Sequence, residues 1–302
     1  MPSVKNVVLI GAGGNLGVAV LKEFLASPLL KVTVVSRPES TSVFPNGVRV
    51  IKTAYTLESL TAAFANQDAI ISLVGTPGFA VQKTIIDAAV AAKVSRFFPS
   101  EYGSNTSSAQ VIDLVPFLKA KAQTVEYLKS LEAENKISWT ALVTGPFFDR
   151  GLTTGFLGFK LADKTVRLWD GGDSLFAATT LPSIGKALVS LVSKQEAFEK
   201  SRNQYVFISS HVTTQNDILK ALKAATASSD GVEWTVSTNV DSQARVAEVK
   251  GQIAKGDFSS TVDLLLAATY GKSFKLGTFP EYWNELLELP NVDLDEAVNA
   301  LL

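Results

Sequence analysis

Apolar and polar positions follow two rhythms along the first half of the chain. Short apolar or β-branched runs occur at 6–11 (NVVLIG), 31–37 (KVTVVSR), 48–52 (VRVIK), 68–75 (DAIISLVG), 95–100 (SRFFPS) and 137–145 (ISWTALVTG). Segments with helical spacing lie between them, at 16–25, 57–66, 80–93 and from about 115 to 134. In the first of these, Leu16, Val20 and Phe24 share one face, with Val18, Leu21 and Leu25 alongside. Buried strands alternating with crossover helices predict an α/β fold with a doubly wound parallel sheet of the Rossmann type.

The second half is less regular. Its pattern predicts two short strands around a Gly-Gly turn over 165–180, a helix over 181–194 and a strand over 204–210. A Thr-capped helix over 213–226, a strand over 232–238 and helices over 241–254 and 258–270 follow. These elements suit a smaller α/β substrate lobe over 151–302, beside a nucleotide-binding lobe over 1–150, with some later elements returning to the first sheet. No repeat, charge block or low-complexity linker separates the halves.

The first strand runs into GAGGNLG, with Gly11, Gly14 and Gly17 three apart at a strand-to-helix junction. Glycine is required where backbone turns tightly or approaches a pyrophosphate without a Cβ in the way. The helix that follows offers free amides, beginning at Asn15 and Leu16, and a partial positive charge. Gly17 lets that helix pack close to the strand. The loop lacks the Gly-Lys-Ser/Thr ending of a P-loop, so a dinucleotide is the expected ligand. At the end of the second strand stand Ser36 and Arg37. A guanidinium there suits the 2′-phosphate of NADP, whereas Glu39 is the alternative for a ribose hydroxyl. Gly75 and Thr76, after the strand at 68–75, lie where a dinucleotide would cross the sheet edge.

Composition narrows the chemistry. There is no cysteine and a single histidine, His211, so thiolate nucleophiles, cysteine-bound metals and multi-histidine metal sites fall away. No metal site is expected. Lys plus Arg is 28 against 29 for Asp plus Glu, a balance that gives no general attraction to nucleic acid or anionic membranes. No apolar run reaches the roughly 20 residues of a membrane helix, and no signal peptide is evident. A cytoplasmic monomer or homodimer is the expectation. His211 is expected in a strand-to-helix loop, as a polar or capping residue.

The helix near 115–134 carries one unusual residue. Phe117, Val125 and Leu128 form an apolar row, and position 121 falls on it. Lys121 therefore points inward, while Lys119 lies on the polar side. An inward lysine loses hydration, which lowers its pKa and suits it to proton transfer. None of the six tyrosines has a lysine four residues later, so the usual Tyr-x-x-x-Lys pair of short-chain dehydrogenases is missing.

Taken in order, GAGGNLG, VVSRPES, SRFFPSEYGSN, KAQTVEYLKS and WTALVTGPFFDRG resemble the NmrA-like, atypical short-chain dehydrogenases. Within them, the chain is most similar to the isoflavone reductase and phenylcoumaran benzylic ether reductase branch. The resemblance implies an NADP(H)-dependent reductase of a small aromatic substrate. It implies that Gly11, Gly14 and Gly17 hold the diphosphate, that Arg37 holds the 2′-phosphate and that Lys121 is catalytic. It also brings Thr144, Gly145, Pro146 and Phe147 to the nicotinamide. Tyr102, Phe147 and Phe148 are candidate aromatic walls. The plant enzymes have Asn-x-Phe where this chain has Gly145-Pro146-Phe147, often Gly-Asp at Lys52-Thr53, and usually Phe at Tyr102. Their substrates therefore do not carry over. Two other classes stay open: a dinucleotide-sensing regulator without turnover, and an isomerase or dehydratase on the same scaffold.

Overall fold

The computed structural model describes residues 4–227 and 232–302, apart from the side chains of Thr76 and Pro77. The chain begins with β1 (Asn6–Ile10), α1 (Asn15–Ala26), β2 (Lys31–Ser36), β3 (Arg49–Lys52), α2 (Leu57–Ala63), β4 (Ala69–Ser72), α3 (Gln82–Ala91) and β5 (Arg96–Phe98). It continues through α4 (Ala109–Leu114), α5 (Lys119–Ala133), β6 (Ser138–Val143) and α6 (Phe148–Thr153). The rest comprises β7 (Phe159–Lys160), β8 (Thr165–Trp169), β9 (Phe176–Ala178), α7 (Leu181–Ser193), α8 (Gln195–Lys200), β10 (Gln204–Phe207) and β11 (His211–Thr213). Last come α9 (Gln215–Thr226), β12 (Thr235–Val240), α10 (Ser242–Ala254), α11 (Val262–Tyr270) and α12 (Leu294–Asn299).

Seven strands form one parallel sheet in the order β3-β2-β1-β4-β5-β6-β10. The alternation of β1 explains why both faces are covered. Val7 and Leu9 enter the core beneath α1 and α7, while Val8 and Ile10 enter the core on the opposite face with Ile85, Ile86, Val125 and Leu128. The chain reverses direction across the sheet between β1 and β4. That switch point opens a crevice at the carboxyl ends of the strands.

Residues 181–207 return to the large sheet, because β10 pairs with β6 and α7 packs on α1. A third core gathers around Phe159, Trp169, Phe176 and Tyr270, away from the large sheet's two cores. It includes residues of α4 and α6, so the first half also contributes to it.

Several expectations are corrected. The predicted hairpin over 165–180 does not form: β8 pairs with β7 and β12, while β9 pairs with β11. Gly171 and Gly172 do turn the chain, with φ of 86° and 82°, but the strands they join belong to separate sheets. The helix expected from 115 begins at Lys119. Pro116 starts a short tighter turn before it, and the separate helix α4 precedes that turn. Val18 and Leu25 on α1 are exposed rather than packed. His211 is not in a loop but in β11. It is buried against Phe148, with ring centroids 4.5 Å apart.

Candidate active site

The glycine turn is shaped by backbone contacts. Gly11 has φ of 84°, and a Cβ there would lie 2.7 Å from the Leu73 carbonyl oxygen. The Gly14 amide donates to the Gly11 carbonyl at 3.0 Å, closing the turn. A Cβ on Gly17 would lie 2.2 Å from that same Gly11 oxygen, so only glycine lets α1 approach β1 this closely. Gly14 occupies the cap position of α1 with no side-chain hydrogen bond to the first turn. The amides of that turn are thereby left for a ligand.

Ser36 ends β2 one strand away, and Arg37 follows it. Ser36 is buried, and its carbonyl accepts from the Thr53 amide at 3.0 Å. Arg37 is exposed and pairs with Glu39 at 3.2 Å. The two alternatives for this position thus touch each other. Neither Ser36 nor Arg37 lines the cavity described next.

A cavity of about 710 Å³ is lined by the first turn of α1 at one side and by residues of α6 and α11 at another. Gly14, Asn15 and Leu16 form one wall, with Gly75 beside them. Gly145, Pro146 and Phe147 follow, and then Tyr102, Lys121 and Phe79. Residues from α6 and α11 close the far part. Gly11 and Gly17 lie behind this surface and shape it. The side chain of Thr76 lies outside the described residues. Phe148 does not face the cavity. It is fully buried in the second core against His211, which removes it from the aromatic wall.

Loops after β4, β5 and β6 are tied together beneath this surface. Ser100 Oγ donates to the Val74 carbonyl at 2.7 Å. The Thr144 and Gly145 amides both donate to the Gly103 carbonyl, at 3.3 and 3.0 Å. Gly145 has φ of 64°, and a Cβ there would stand 2.1 Å from the Ala177 carbonyl oxygen. A side chain at this position would collide with that carbonyl, and glycine avoids it. Asparagine tolerates the left-handed conformation but still carries a Cβ.

Lys121 occupies the first turn of α5, on the same side as the buried Val125 and Leu128. Phe117, the third residue of the expected row, lies before the helix and meets the cavity instead. The Lys121 ammonium donates to the Glu101 backbone carbonyl at 2.5 Å and stands 5.5 Å from the centre of the Phe79 ring. Burial pushes the Lys121 pKa below the usual lysine value, and the nearby Glu101 charge partly opposes that.

Glu101 is the residue that pattern reasoning passed over. Its carboxyl group is buried, and burial raises its pKa, while Lys121 and the Thr106 hydrogen bond pull it back down. Thr106 donates to Oε2 at 2.5 Å, whereas Oε1 has no partner among the described residues. Its signal lay in SRFFPSEYGSN, the motif that carried the family resemblance. The adjacent Tyr102 is buried, and its hydroxyl has no partner among the described residues.

No group of three or more potential metal ligands occurs among the described residues. Among them, no helix is long and apolar enough to cross a membrane.

Comparisons with known proteins agree with this architecture. The sequence profile of the NmrA-like family matches residues 3–229. Oxidoreductase aprR of Aspergillus flavus is 33% identical over 304 residues, covering 98% of this chain and 98% of its own. The solved structure of AtPrR2 with NADP+ and (+)pinoresinol superimposes with a TM-score of 0.76 at 17% identity, over 100% of both chains. A crystal structure of isoflavone reductase does so with a TM-score of 0.72 at 19% identity, over 99% of this chain and 100% of its own.

The fold and these relatives define an oxidoreductase on a Rossmann plan. The chain belongs to the NmrA-like family.

Proposed function

We propose that the protein is an NADP(H)-dependent reductase of an aromatic substrate, with Lys121 as the proton donor. The observation that carries this reading is the continuity of one cavity from the open first turn of α1 to the Lys121 ammonium. A dinucleotide fits the residues at hand. The left-handed Gly11 and the close contact at Gly17 leave a bare backbone surface, and the uncapped amides of Asn15, Leu16 and Gly17 suit a diphosphate. Arg37 is exposed and able to exchange Glu39 for a 2′-phosphate. Gly75 and the Gly145–Phe147 turn continue the path toward Lys121. On this reading residues 1–150 hold the cofactor, and the later lobe completes the substrate end.

When bound, a reduced nicotinamide dinucleotide supplies the hydride. The chain's own residues handle the proton and the geometry. Lys121 holds a proton at Nζ, and the Glu101 carbonyl fixes where that nitrogen points. Burial weakens its hold on the proton, so it releases it more readily to an oxygen that gains negative charge as an enone, quinone methide or carbonyl is reduced. Phe79, Tyr102 and Phe147 offer flat apolar walls that exclude water around an aromatic ring. Pinoresinol, the aromatic ligand named for AtPrR2, belongs to that protein, and the aromatic lining supports only the broader class here.

The test is to mix the wild-type protein with NADPH and a panel of aromatic enones and quinones. NADPH is expected to be consumed in step with reduced product. Binding of NADPH without consumption across the panel would make the protein a sensor. Product formation without net NADPH consumption would make it an isomerase or dehydratase.

A further inference from the structure

The far part of the cavity carries a charge that hydride and proton transfer leave unused. Arg150, on α6, lines it near Phe147, Thr154 and Phe156. The hydrogen bonds of Arg150 among the described residues are made by its backbone. Its amide donates to Asp149 at 2.8 Å, and its carbonyl accepts from the Thr153 and Thr154 hydroxyls at 3.2 and 2.7 Å. Its guanidinium has no hydrogen bond or ion pair among the described residues. Asp149 does not neutralise it at close range. That carboxylate accepts from two backbone amides, of Arg150 at 2.8 Å and of Leu181 at 3.0 Å, and it is not part of the cavity wall.

Among the described residues that line the cavity there is no aspartate or glutamate, and Lys121 and Arg150 are its charged side chains. The remaining wall is mostly apolar. Covering Arg150 with a neutral ring would strip water from a cation and return only the weaker attraction of the ring face. A carboxylate on the ligand would instead pair with it, and a planar guanidinium accepts a carboxylate through two parallel hydrogen bonds. Resting on the reading of this cavity as the substrate site, we propose that Arg150 determines specificity by binding the carboxylate of an aromatic acid. Lys121 is thereby left for the reacting end of the same molecule.

The test uses para-hydroxycinnamate and its methyl ester as matched probes. Each is titrated into the wild type, Arg150→Gln and Arg150→Lys, with and without saturating NADP+. The wild type is expected to bind the acid about tenfold more tightly than the ester, as a charge-assisted pair would give. Arg150→Gln should remove that preference, Arg150→Lys should keep part of it, and the affinity for NADP+ should be the same in all three. Equal binding of acid and ester, binding of neither, or a preference that survives in Arg150→Gln would overturn the proposal. Failure of the wild type to bind NADP+ would count against the reductase reading instead. An acid preference that depends on Arg150 would still be visible in the cofactor-free titration.

Discussion

The two ends of the cavity are built by different means. At the glycine turn the wall is backbone: a left-handed Gly11, a Gly17 with no room for a Cβ, and the first amides of α1. At the far end the wall is side chains, brought together from Phe79, Phe117, Lys121, Phe147, Phe156 and Leu265. A backbone site imposes steric demands that glycine alone meets, and it does so within a few consecutive residues. A side-chain site asks only for apolar or charged groups at points that meet after folding. One end is therefore rigid and intolerant of substitution, while the other can change its ligand by exchanging a few side chains.

The largest test of this contrast is Gly17→Val. Added atoms there would press on the Gly11 carbonyl, which cannot move without opening the turn. The variant is expected to lose about 3 kcal/mol of stability in urea unfolding, together with NADPH binding. Wild-type stability and binding in that variant would show that the turn has slack. Arg37→Ala comes next. It should weaken NADPH about tenfold and leave NADH nearly unaffected, because only the 2′-phosphate is lost as a partner. Equal weakening of both dinucleotides would remove Arg37 from the site.

The smallest effect belongs to the far end and concerns pH. A proton-donating Lys121 loses activity as pH rises through its pKa, which burial holds below the ordinary 10.5. The Glu101 charge raises that pKa, so Glu101→Gln should move the alkaline limb of kcat to lower pH. A limb that stays in place would mean that Glu101 is protonated across the range and lends Lys121 no charge.

The same contrast governs what could be read in advance. The glycine turn and the positions of the strands in the first half were legible because local apolar runs and glycine spacing specify them, whereas the order of those strands in the sheet was not. Lys121 was legible because Val125 and Leu128 mark its side of α5, even though Phe117 turned out to precede the helix. Phe147 and Phe148 were not separable. They are neighbours of the same type, and a bridge to Thr179 and the onset of α6 decide which one faces the cavity. His211 was misplaced, and the strands flanking Gly171 and Gly172 formed where expected but paired elsewhere, because their partners lie far along the chain. Glu101 was silent as a pattern. A lone acid after a short strand gives no sign that it will be buried beside a lysine.

The most direct measurement is the steady-state kinetics of Lys121→Ala, with NADPH affinity determined on the same protein. The expected result is a kcat lower by roughly 10²- to 10⁴-fold with NADPH binding retained, as removal of a proton donor gives. An undiminished kcat would contradict the role of Lys121 and, with it, the placement of the chemistry in this cavity.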